Sequence, residues 1–248
     1  MNGYMYCLYS DDGRENDYFN KELVPSFKSL KRAVPAANVA LYTNIKFNNI
    51  GFDHVIYDEN IDKRLISKAH ALLKTPYDKT IFLDTDTIIH RDIIDNIFEV
   101  LDEFKFTVVY GDAFSKGSVY PDFNTGLIGV KNDSETQGLI NEWIRLFEKT
   151  PDNNHALVHE LKHVDETKRK WPVLKEKRVN DQWAFREVFM KNKKIFHILP
   201  TFFMYRWHLI RQYPKYAVMT HHRSIKDGLV DKKNVTKHIV THYIQNHL

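Results

Sequence analysis

The segment that most constrains the fold is residues 80–86, Thr-Ile-Phe-Leu-Asp-Thr-Asp. Its apolar part is short and rich in β-branched and aromatic residues, which is typical of a strand buried on both faces. The run ends in two carboxylates, Asp84 and Asp86, whose burial needs compensation by another group. In open α/β sheets, ligands bind at the carboxyl ends of the strands. The segment therefore predicts a central strand with a ligand or metal at its end.

The spacing of Asp84 and Asp86 favours a particular kind of ligand. Two hard carboxylate ligands two residues apart suit Mg²⁺ or Mn²⁺ bridging to a diphosphate. The alternative is that the two side chains only cap a following helix, because Asp-x-Asp is a common sequence. Other residues must therefore supply the rest of a site.

Composition restricts the class of protein. A chain of 248 residues has room for one α/β domain or for two small ones. The formal net charge of +4 suits phosphate-bearing ligands but is far below that of nucleic-acid-binding proteins, so we expect no nucleic acid partner. The single cysteine, Cys7, excludes an intramolecular disulfide. No stretch reaches ~18 apolar residues and no signal peptide is visible. We therefore expect a cytoplasmic protein without a transmembrane segment.

Strand and helix patterns alternate along most of the chain. Strands are predicted over residues 5–9, 38–43, 54–57, 80–83, 106–110, 127–130, 195–199 and 217–220, and helices over 17–33, 61–73, 92–104, 134–147 and 181–190. Ser134 and Gln137 form a capping box at the start of the fourth helix. The alternation predicts an α/β fold with a mostly parallel central sheet and helices on both faces.

We expect a single domain over residues 1–248. Residues 150–179 are charged and rich in histidine, and they are predicted to form a helical excursion from the sheet. Residues 231–248 carry an amphipathic stripe beside several lysines. This stripe predicts a C-terminal helix that docks on the domain or makes peripheral contact with a membrane surface.

Two patches of the later chain add candidate binding residues. In Phe-Asn-Thr-Gly at residues 123–126, Asn124 offers an amide to sugar hydroxyls and Gly126 allows close backbone approach. The same residues are also common in an ordinary turn before a strand. Asp181, in Asn-Asp-Gln, opens a predicted helix, and its carboxylate is equally consistent with a simple N-cap.

Two further patches carry histidine and lysine. His221 follows the last predicted strand, where it could complete a metal site, and Lys226 could reach the same diphosphate. A lone histidine is more often structural, but a lysine close behind it favours the functional interpretation. Lys68 lies on the helix before the Asp-Thr-Asp strand, where a surface lysine is the default.

These patches match a known set of motifs in their order along the chain. The matching segments are Tyr9-Ser10-Asp11-Asp12, Ser67-Lys68-Ala69-His70, residues 81–87, Phe123-Asn124-Thr125-Gly126, Asn180-Asp181-Gln182, Ile198-Leu199-Pro200 and His221 to Lys226. Together they resemble the GT-A glycosyltransferases, particularly the glycogenin-like and galactosyltransferase-like family that retains the anomeric configuration. The resemblance spans roughly residues 4–227.

The resemblance implies a GT-A fold, a nucleotide-sugar donor that is most often UDP-linked, and Mn²⁺ or Mg²⁺ as the metal. Asp84, Asp86 and His221 would hold the metal, and Lys226 would reach the departing diphosphate. The interval from histidine to lysine is one residue shorter here than in the family, which leaves His222 as an alternative ligand. The acceptor is open: a glycan, a protein or a small molecule.

The same resemblance assigns the remaining site residues. It places Tyr9, Ser10 and Asp11 at the uridine-binding strand end, with Tyr9 and Asp11 against the uracil. The donor sugar and its phosphates would be held by Lys68, Asn124 and Thr125, beside Gly126. Asp181 and Gln182 would lie near the anomeric carbon or the acceptor, and Asp181 is the candidate nucleophile if retention uses a double displacement.

Other functions remain open at this point. In a phosphohydrolase of the haloacid dehalogenase type, Asp84 would be the nucleophile and Asp86 the acid or base. That motif usually opens its domain, whereas about 80 residues precede it here. A non-catalytic nucleotide-sugar-binding domain on the same fold is a second alternative.

A zinc site is the last alternative. His155, His159 and His163 recur every four residues and would share one helix face. Leu157 and Leu161 lie on roughly the opposite face, so a solvated histidine face is favoured instead.

Overall fold

The computed structural model describes residues 1–10, 13–110, 123–149, 181–206 and 216–221. In these ranges the strands are β1 (Asn2–Leu8), β2 (Val39–Thr43), β3 (His54–Tyr57), β4 (Lys79–Leu83), β5 (Thr87–Ile89), β6 (Phe106–Tyr110), β7 (Phe123–Lys131), β8 (Phe196–Leu199), β9 (Tyr205–Arg206) and β10 (Met219–His221). The α-helices are α1 (Glu15–Tyr18), α2 (Val24–Ala33), α3 (Ser67–Leu73), α4 (Asn96–Glu103), α5 (Ser134–Lys149) and α6 (Asp181–Lys191). A π-helical turn spans Phe19–Leu23, and 3₁₀ turns span Asp92–Asp95, Lys193–Ile195 and Thr201–Phe203.

Seven strands form the central sheet in the order β3-β2-β1-β4-β7-β6-β8. The first four are parallel to one another, and β6 is parallel to β8. The strand β7 runs antiparallel to both of its neighbours. The predicted α/β fold with a mostly parallel sheet is therefore confirmed.

The strand order places a crevice at the carboxyl ends of β1 and β4. From β1 the chain proceeds outward through β2 and β3, and it then returns to add β4 on the other side of β1. Such a reversal of strand order separates the connections that follow the two strands, and ligands of open α/β sheets bind in the gap. Residues 9–10 and 84–86 follow these two strands.

Helices cover both faces of the sheet, as predicted. Along β1, Tyr4, Tyr6 and Leu8 point to one face and join a buried cluster that includes residues of α2 and α4. Met5 points to the other face and joins a second cluster with residues of α3, α5 and α6, including Trp143. The alternation follows from the two-residue period of a strand. The result is a three-layer sandwich with its core on each side of the sheet.

The first predicted helix is longer than expected. A helix is predicted over residues 17–33, whereas α1, the π turn and α2 run consecutively from Glu15 to Ala33. Pro25 is the second residue of α2, directly after the π turn, and its missing N–H removes one hydrogen bond from the run without ending it. The proline is therefore accommodated without breaking the helical run.

The predicted helix over 61–73 is shorter than expected, since α3 begins only at Ser67. Upstream, the side chains of Asp58 and Asp62 accept hydrogen bonds from the backbone N–H groups of Asn60 and Arg64 at 3.0 and 2.9 Å. Such local bonds offer the backbone an alternative to helix. The apolar periodicity there came from core side chains on an irregular segment.

A small second sheet, in the order β5-β10-β9, was only partly predicted. The strand expected at 217–220 is observed at Met219–His221, and two- and three-residue strands such as β9 and β5 are too short to show periodicity. His221 pairs with Thr87 in this sheet, antiparallel. The sheet therefore brings the end of β10 beside the residues that follow β4.

The start of α5 differs from the predicted capping box. Asp133, rather than Ser134, accepts the backbone N–H of Thr136 at 2.9 Å. Asp133 also pairs with Lys105, which precedes β6. Burial alone would raise the pKa of Asp133, but the bonds from Lys105 and Thr136 outweigh it and hold the pKa below its usual range. The cap is thus one residue earlier than the capping-box pattern predicted.

We expect Asp133→Ala to lower the free energy of unfolding by about 1 kcal/mol, the usual value of an N-cap. Asp133→Asn keeps an acceptor for the Thr136 N–H and loses only the half-exposed ion pair, so it should retain most of that stability. Chemical denaturation followed by circular dichroism measures both variants. An equal loss of unfolding free energy in the two variants would show that the ion pair with Lys105, and not the N-cap, stabilises the protein.

Several sequence predictions concern residues outside the described ranges. These are the excursion over 150–179, the helix over 231–248, and the candidate site residues Asp11, His222 and Lys226. In the part of the chain that is described, no helix has both the length and the apolar character needed to span a bilayer.

Candidate active site

Three predicted metal ligands converge at the carboxyl end of β4. Nε2 of His221 lies 3.1 Å from Oδ1 of Asp86 and 3.6 Å from Oδ2 of Asp84. One potential ligand atom from each residue lies within 4.8 Å of the others. The two carboxylates come from the turn after β4, and the imidazole comes from β10. The small second sheet therefore completes a cluster that the sequence predicted from residues 135 positions apart.

Gly126 makes room for this cluster. A Cβ at this position would lie 2.9 Å from Oδ2 of Asp84 and 2.9 Å from Cε1 of His221, both closer than ordinary contact. The backbone C=O of Gly126 also accepts the N–H of Asp84 at 2.9 Å. The close approach that the sequence suggested for Gly126 is therefore present, and it lies directly against two of the three candidate ligands.

Gly126→Ala tests this close approach. One of the two candidate ligands must shift to admit the methyl group, so we expect Mn²⁺ to raise the melting temperature of the wild type but hardly that of the variant. In the control variant Gly138→Ala, on α5, the new Cβ meets nothing within 4 Å and the response to Mn²⁺ should be unchanged. Thermal melts with and without Mn²⁺ measure this. An equal response in Gly126→Ala would contradict the interpretation.

Asn124 holds the imidazole of His221. Its Nδ2 lies 3.1 Å from Nδ1 of His221, and its Oδ1 accepts the backbone N–H of Gly126 at 2.9 Å. Asn124 is buried, so these bonds are sheltered from water. A hydrogen bond to the second nitrogen orients an imidazole whose first nitrogen faces a metal. Asn124 thus lies against a candidate ligand.

A second cluster surrounds the ammonium group of Lys68. Its Nζ lies 3.2 Å from Oδ1 of Asp84 and 3.5 Å from Oδ2 of Asp181. Nζ also lies 3.2 Å from the hydroxyl of Thr125, which donates to Oδ2 of Asp181 at 2.7 Å. Lys68 is 7% exposed and Asp181 2% exposed. Lys68 is therefore a buried charge, contrary to the default of a surface lysine.

The pKa values in this cluster follow from burial and charge. Burial alone would lower the pKa of Lys68, but the carboxylates of Asp181 and Asp84 outweigh it and raise the pKa. Burial raises the pKa of Asp181, although Lys68 and Thr125 act in the opposite direction. Lys68 is thus held as a cation, and its charge is what allows carboxylates to be placed at this depth.

Asp84 links the two clusters. One of its carboxylate oxygens faces Lys68 and the other faces His221. A ligand that binds at the Asp84–Asp86–His221 cluster would therefore lie beside the Lys68–Asp181 pair. The predicted metal-binding and sugar-binding groups form one continuous site.

The remaining predicted residues lie near this site in different ways. Tyr9, after β1, lies close enough to Lys68 to contribute to its raised pKa. Ser10 exchanges two hydrogen bonds of 3.2 Å with the side chain of Asn44 through its backbone N–H and C=O. Gln182 follows Asp181 in the first turn of α6 and is half-buried. Asp181 opens α6 and contacts Lys68 and Thr125 through Oδ2.

Some residues that support the site were not found from the sequence. Trp143 on α5 donates its indole N–H to the backbone C=O of Asp181 at 2.9 Å, which fixes the start of α6. Thr87 donates its hydroxyl to the backbone C=O of Asp84 at 2.8 Å. Trp143 belongs to no motif, because its contact depends on how elements far apart in sequence pack. Thr87 lies in the matched segment 81–87, but no role was predicted for its hydroxyl.

The chemistry of the three clustered side chains fits a divalent metal. Carboxylates suit Mg²⁺ and Mn²⁺, whereas an imidazole suits borderline transition metals more than Mg²⁺. The absence of a side chain at Gly126 lets Asp84 and His221 come together in this arrangement. Asp84, Asp86 and His221 could therefore bind a metal ion.

Comparison with known proteins supports the fold. Neither a protein-family model nor a curated protein sequence matches the chain. Among solved structures, the glycosyltransferase GlyE of Streptococcus pneumoniae TIGR4 is similar, with a TM-score of 0.57 and 15% sequence identity over 99% of this chain. The match covers 64% of the length of GlyE, so this chain spans just under two thirds of that protein. The protein therefore has the fold of a glycosyltransferase, consistent with the predicted GT-A class.

Proposed function

We propose that the protein is a metal-dependent glycosyltransferase that moves a sugar from a nucleotide-diphosphate sugar to an acceptor. The donor that we propose is a UDP-sugar. The observation that carries this proposal is the position of Asp84, whose carboxylate faces His221 on one side and the buried Lys68 on the other. A site with a candidate metal cluster beside a buried cation suits a diphosphate, because both neutralise anionic oxygens. Its location at the carboxyl end of β4, in a glycosyltransferase fold, supports the same conclusion.

Asp84, Asp86 and His221 would hold Mn²⁺ or Mg²⁺. When bound, such an ion compensates the charge that develops on the departing diphosphate. Lys68 lies 3.2 Å from Asp84 and would act on the same side of the donor. Lys226, as the family resemblance suggests, would add a second cation, and this role stays a prediction.

The donor nucleotide would extend from the metal cluster towards the end of β1. The backbone of Ser10 is engaged by Asn44, so recognition of the uracil would fall to Tyr9 and Asp11. Asn44 would then act by holding the strand end in place. Which base is bound stays a prediction, and other nucleotides compete with UDP in the test below.

The donor sugar would lie against Thr125, Asn124 and the buried Asp181. Transfer breaks the bond between the anomeric carbon and the β-phosphate oxygen and forms one to an acceptor oxygen, whose proton passes to the leaving phosphate. Retention would follow from attack on the same face, or from a double displacement with Asp181 as nucleophile. Asp181 is held by Lys68 and Thr125, which would fix its direction in either case. Gln182, in the same helical turn, is the candidate partner of the acceptor.

The phosphohydrolase alternative is less well supported. Its motif usually opens the domain, whereas β1, β2 and β3 precede the Asp-Thr-Asp segment here and the fold is that of a glycosyltransferase. The non-catalytic alternative differs from the proposal only in turnover. A single domain over 1–248, a cytoplasmic location and membership of the glycogenin-like family stay predictions.

A panel of UDP-hexoses and UDP-pentoses tests the proposal. With Mn²⁺ present, we expect slow release of UDP from at least one donor, and proton NMR of the released sugar identifies its first-formed anomer. A generic phosphomonoester should not be hydrolysed. Phosphomonoester hydrolysis without UDP release would favour the phosphohydrolase, and binding of UDP without turnover of any donor would favour the non-catalytic domain.

A further inference from the structure

Three buried polar side chains lie on one face of the helical run from the π turn into α2. Glu22, Ser26 and Ser29 are four and three residues apart, which places them on the same face of a helix. They are 5%, 0% and 1% exposed. A helix that packs on a sheet normally turns apolar residues inward. This polar stripe, Glu22, Ser26 and Ser29, therefore needs partners inside the protein.

The first two members of the polar stripe meet the segment that carries the candidate metal ligands. Glu22 accepts a hydrogen bond from the hydroxyl of Thr85 at 3.1 Å. The hydroxyl of Ser26 lies 3.1 Å from that of Thr87. Thr87 in turn donates to the backbone C=O of Asp84 at 2.8 Å. The stripe is therefore connected to a candidate ligand through a single intervening side chain.

The third member continues the pattern along β5. Ser29 accepts the backbone N–H of Ile89 at 2.9 Å and donates to the backbone C=O of Ser26 at 2.7 Å. The hydroxyl of Ser26 also lies 3.1 Å from that of Tyr6 on β1. The stripe thus contacts every second residue from 85 to 89 and is anchored to the central sheet.

The positions between these contacts are the ones that face the site. Asp84 and Asp86 turn towards His221, while Thr85 and Thr87 turn towards the helix. The backbone of Thr87 also pairs with that of His221 in the small sheet. Thr87 therefore contacts the polar stripe, the backbone of Asp84 and the strand that carries His221. The geometry of the cluster therefore depends on where the helix holds Thr87.

We propose that the polar stripe is a positioning device for the metal ligands, which acts through Thr85 and Thr87 without touching the metal. This inference rests on the proposed metal site. Hydrogen-bond partners that hold metal ligands in place contribute to affinity because they reduce the reorganisation needed for binding. The π turn at Phe19–Leu23 supplies Glu22, and such turns are frequent at functional sites.

Three variants and one control test the proposal. Thr87→Val removes the hydroxyl with little change in volume, and Thr87→Ser keeps the hydroxyl and removes the methyl group. Thr85→Val removes the hydroxyl that bonds to Glu22. Because Thr85 is only half-buried, we expect this variant to fold. The control is Thr80→Val, which breaks a buried hydroxyl pair with Thr75 at the other end of β4. Calorimetry gives the Mn²⁺ affinity, electron paramagnetic resonance of bound Mn²⁺ reports its symmetry, and melts in EDTA give stability without metal.

We expect Thr87→Val to weaken Mn²⁺ binding about 10-fold or more and to change the spectrum of the bound ion. Thr85→Val should weaken binding less, and Thr87→Ser should restore it to near the wild-type value. Thr80→Val should lower the melting temperature and leave the Mn²⁺ affinity unchanged.

The proposal is overturned if Thr87→Val and Thr85→Val bind Mn²⁺ as the wild type does, with only their melting temperatures lowered. If the wild type itself binds no Mn²⁺, the metal site of the proposed function fails, and this inference fails with it. The two failures are distinguished by the wild-type titration alone.

Discussion

The Lys68→Met variant should unfold with a free energy about 3–5 kcal/mol smaller than that of the wild type at neutral pH. Lys68 is 7% exposed, and its ammonium lies 3.5 Å from the carboxylate of Asp181 and 3.2 Å from that of Asp84. Methionine has a similar length but leaves the 2% exposed Asp181 without its cation. A buried carboxylate without compensation is strongly destabilising, and chemical denaturation measures the loss.

The double variant Lys68→Met/Asp181→Asn separates charge from packing. It removes both members of the buried pair, and the asparagine can still accept the hydroxyl of Thr125. We expect it to regain most of the stability that Lys68→Met loses, since replacing a buried pair is far less harmful than breaking one. If the double variant is no more stable than Lys68→Met alone, the ion pair is not what stabilises this part of the protein.

Both Lys68→Met and the double variant should have much lower turnover than the wild type. The proposed role of Lys68 is to stabilise negative charge on the donor, and loss of one such group lowers kcat by about 10²–10³-fold. Lys79→Met is the matched control, because Lys79 pairs with the exposed Asp102 at the opposite end of β4. It should leave turnover unchanged, because the ammonium of Lys79 bonds to Asp102 and to the backbone C=O of Phe98, away from the site.

The Asp86→Asn variant should weaken Mn²⁺ binding by more than ~100-fold, beyond the usual effect of residues that only hold ligands in place. Asparagine keeps the size of the side chain but removes the charge that faces His221 at 3.1 Å. The three candidate ligand atoms lie within 4.8 Å of one another. Without the charged oxygen of Asp86, two strong ligands remain, and these are too few to retain the ion. Calorimetric titration with Mn²⁺ measures the affinity.

Asp102→Asn provides the control for this second prediction. It makes the same change in net charge at an exposed carboxylate far from the site. Its Mn²⁺ affinity should equal that of the wild type within about 2-fold, because exposed charges at this distance are screened by salt. Equal weakening in both variants would mean that net charge, rather than a defined cluster, governs binding.

Local patterns predicted the parts of the site that lie close together in sequence. The apolar run into Asp84 identified β4 and its carboxyl end, because a buried strand and its terminal polar residues are adjacent along the chain. Separate patches of the sequence, together with the family resemblance, indicated Lys68, Asn124, Asp181 and His221, and the structure places all four at the carboxyl end of β4. The catalytic roles assigned to Asp181 and Gln182 stay predictions.

Two kinds of hydrogen bond could not be predicted from the sequence: those between distant segments, and local ones that compete with a helix. The polar stripe resembles an ordinary solvent-facing pattern, since nothing local to Ser26 indicates that Thr87 will cover it. The expected start of the 61–73 helix was wrong because Asp58 and Asp62 bond to the backbone in preference to a helical turn. In each case a side-chain hydrogen bond determined the local structure, and the hydrophobic periodicity of the sequence does not reveal such bonds.

The measurement that tests the central claim most directly is a calorimetric titration of the wild type with UDP, with and without Mn²⁺. The account predicts binding that requires Mn²⁺, because the Asp84–Asp86–His221 cluster would hold the diphosphate through the metal. Asp86→Asn should abolish the Mn²⁺-dependent part of that binding. No binding of UDP under either condition, or equal binding without metal, would contradict a metal-dependent UDP-sugar site.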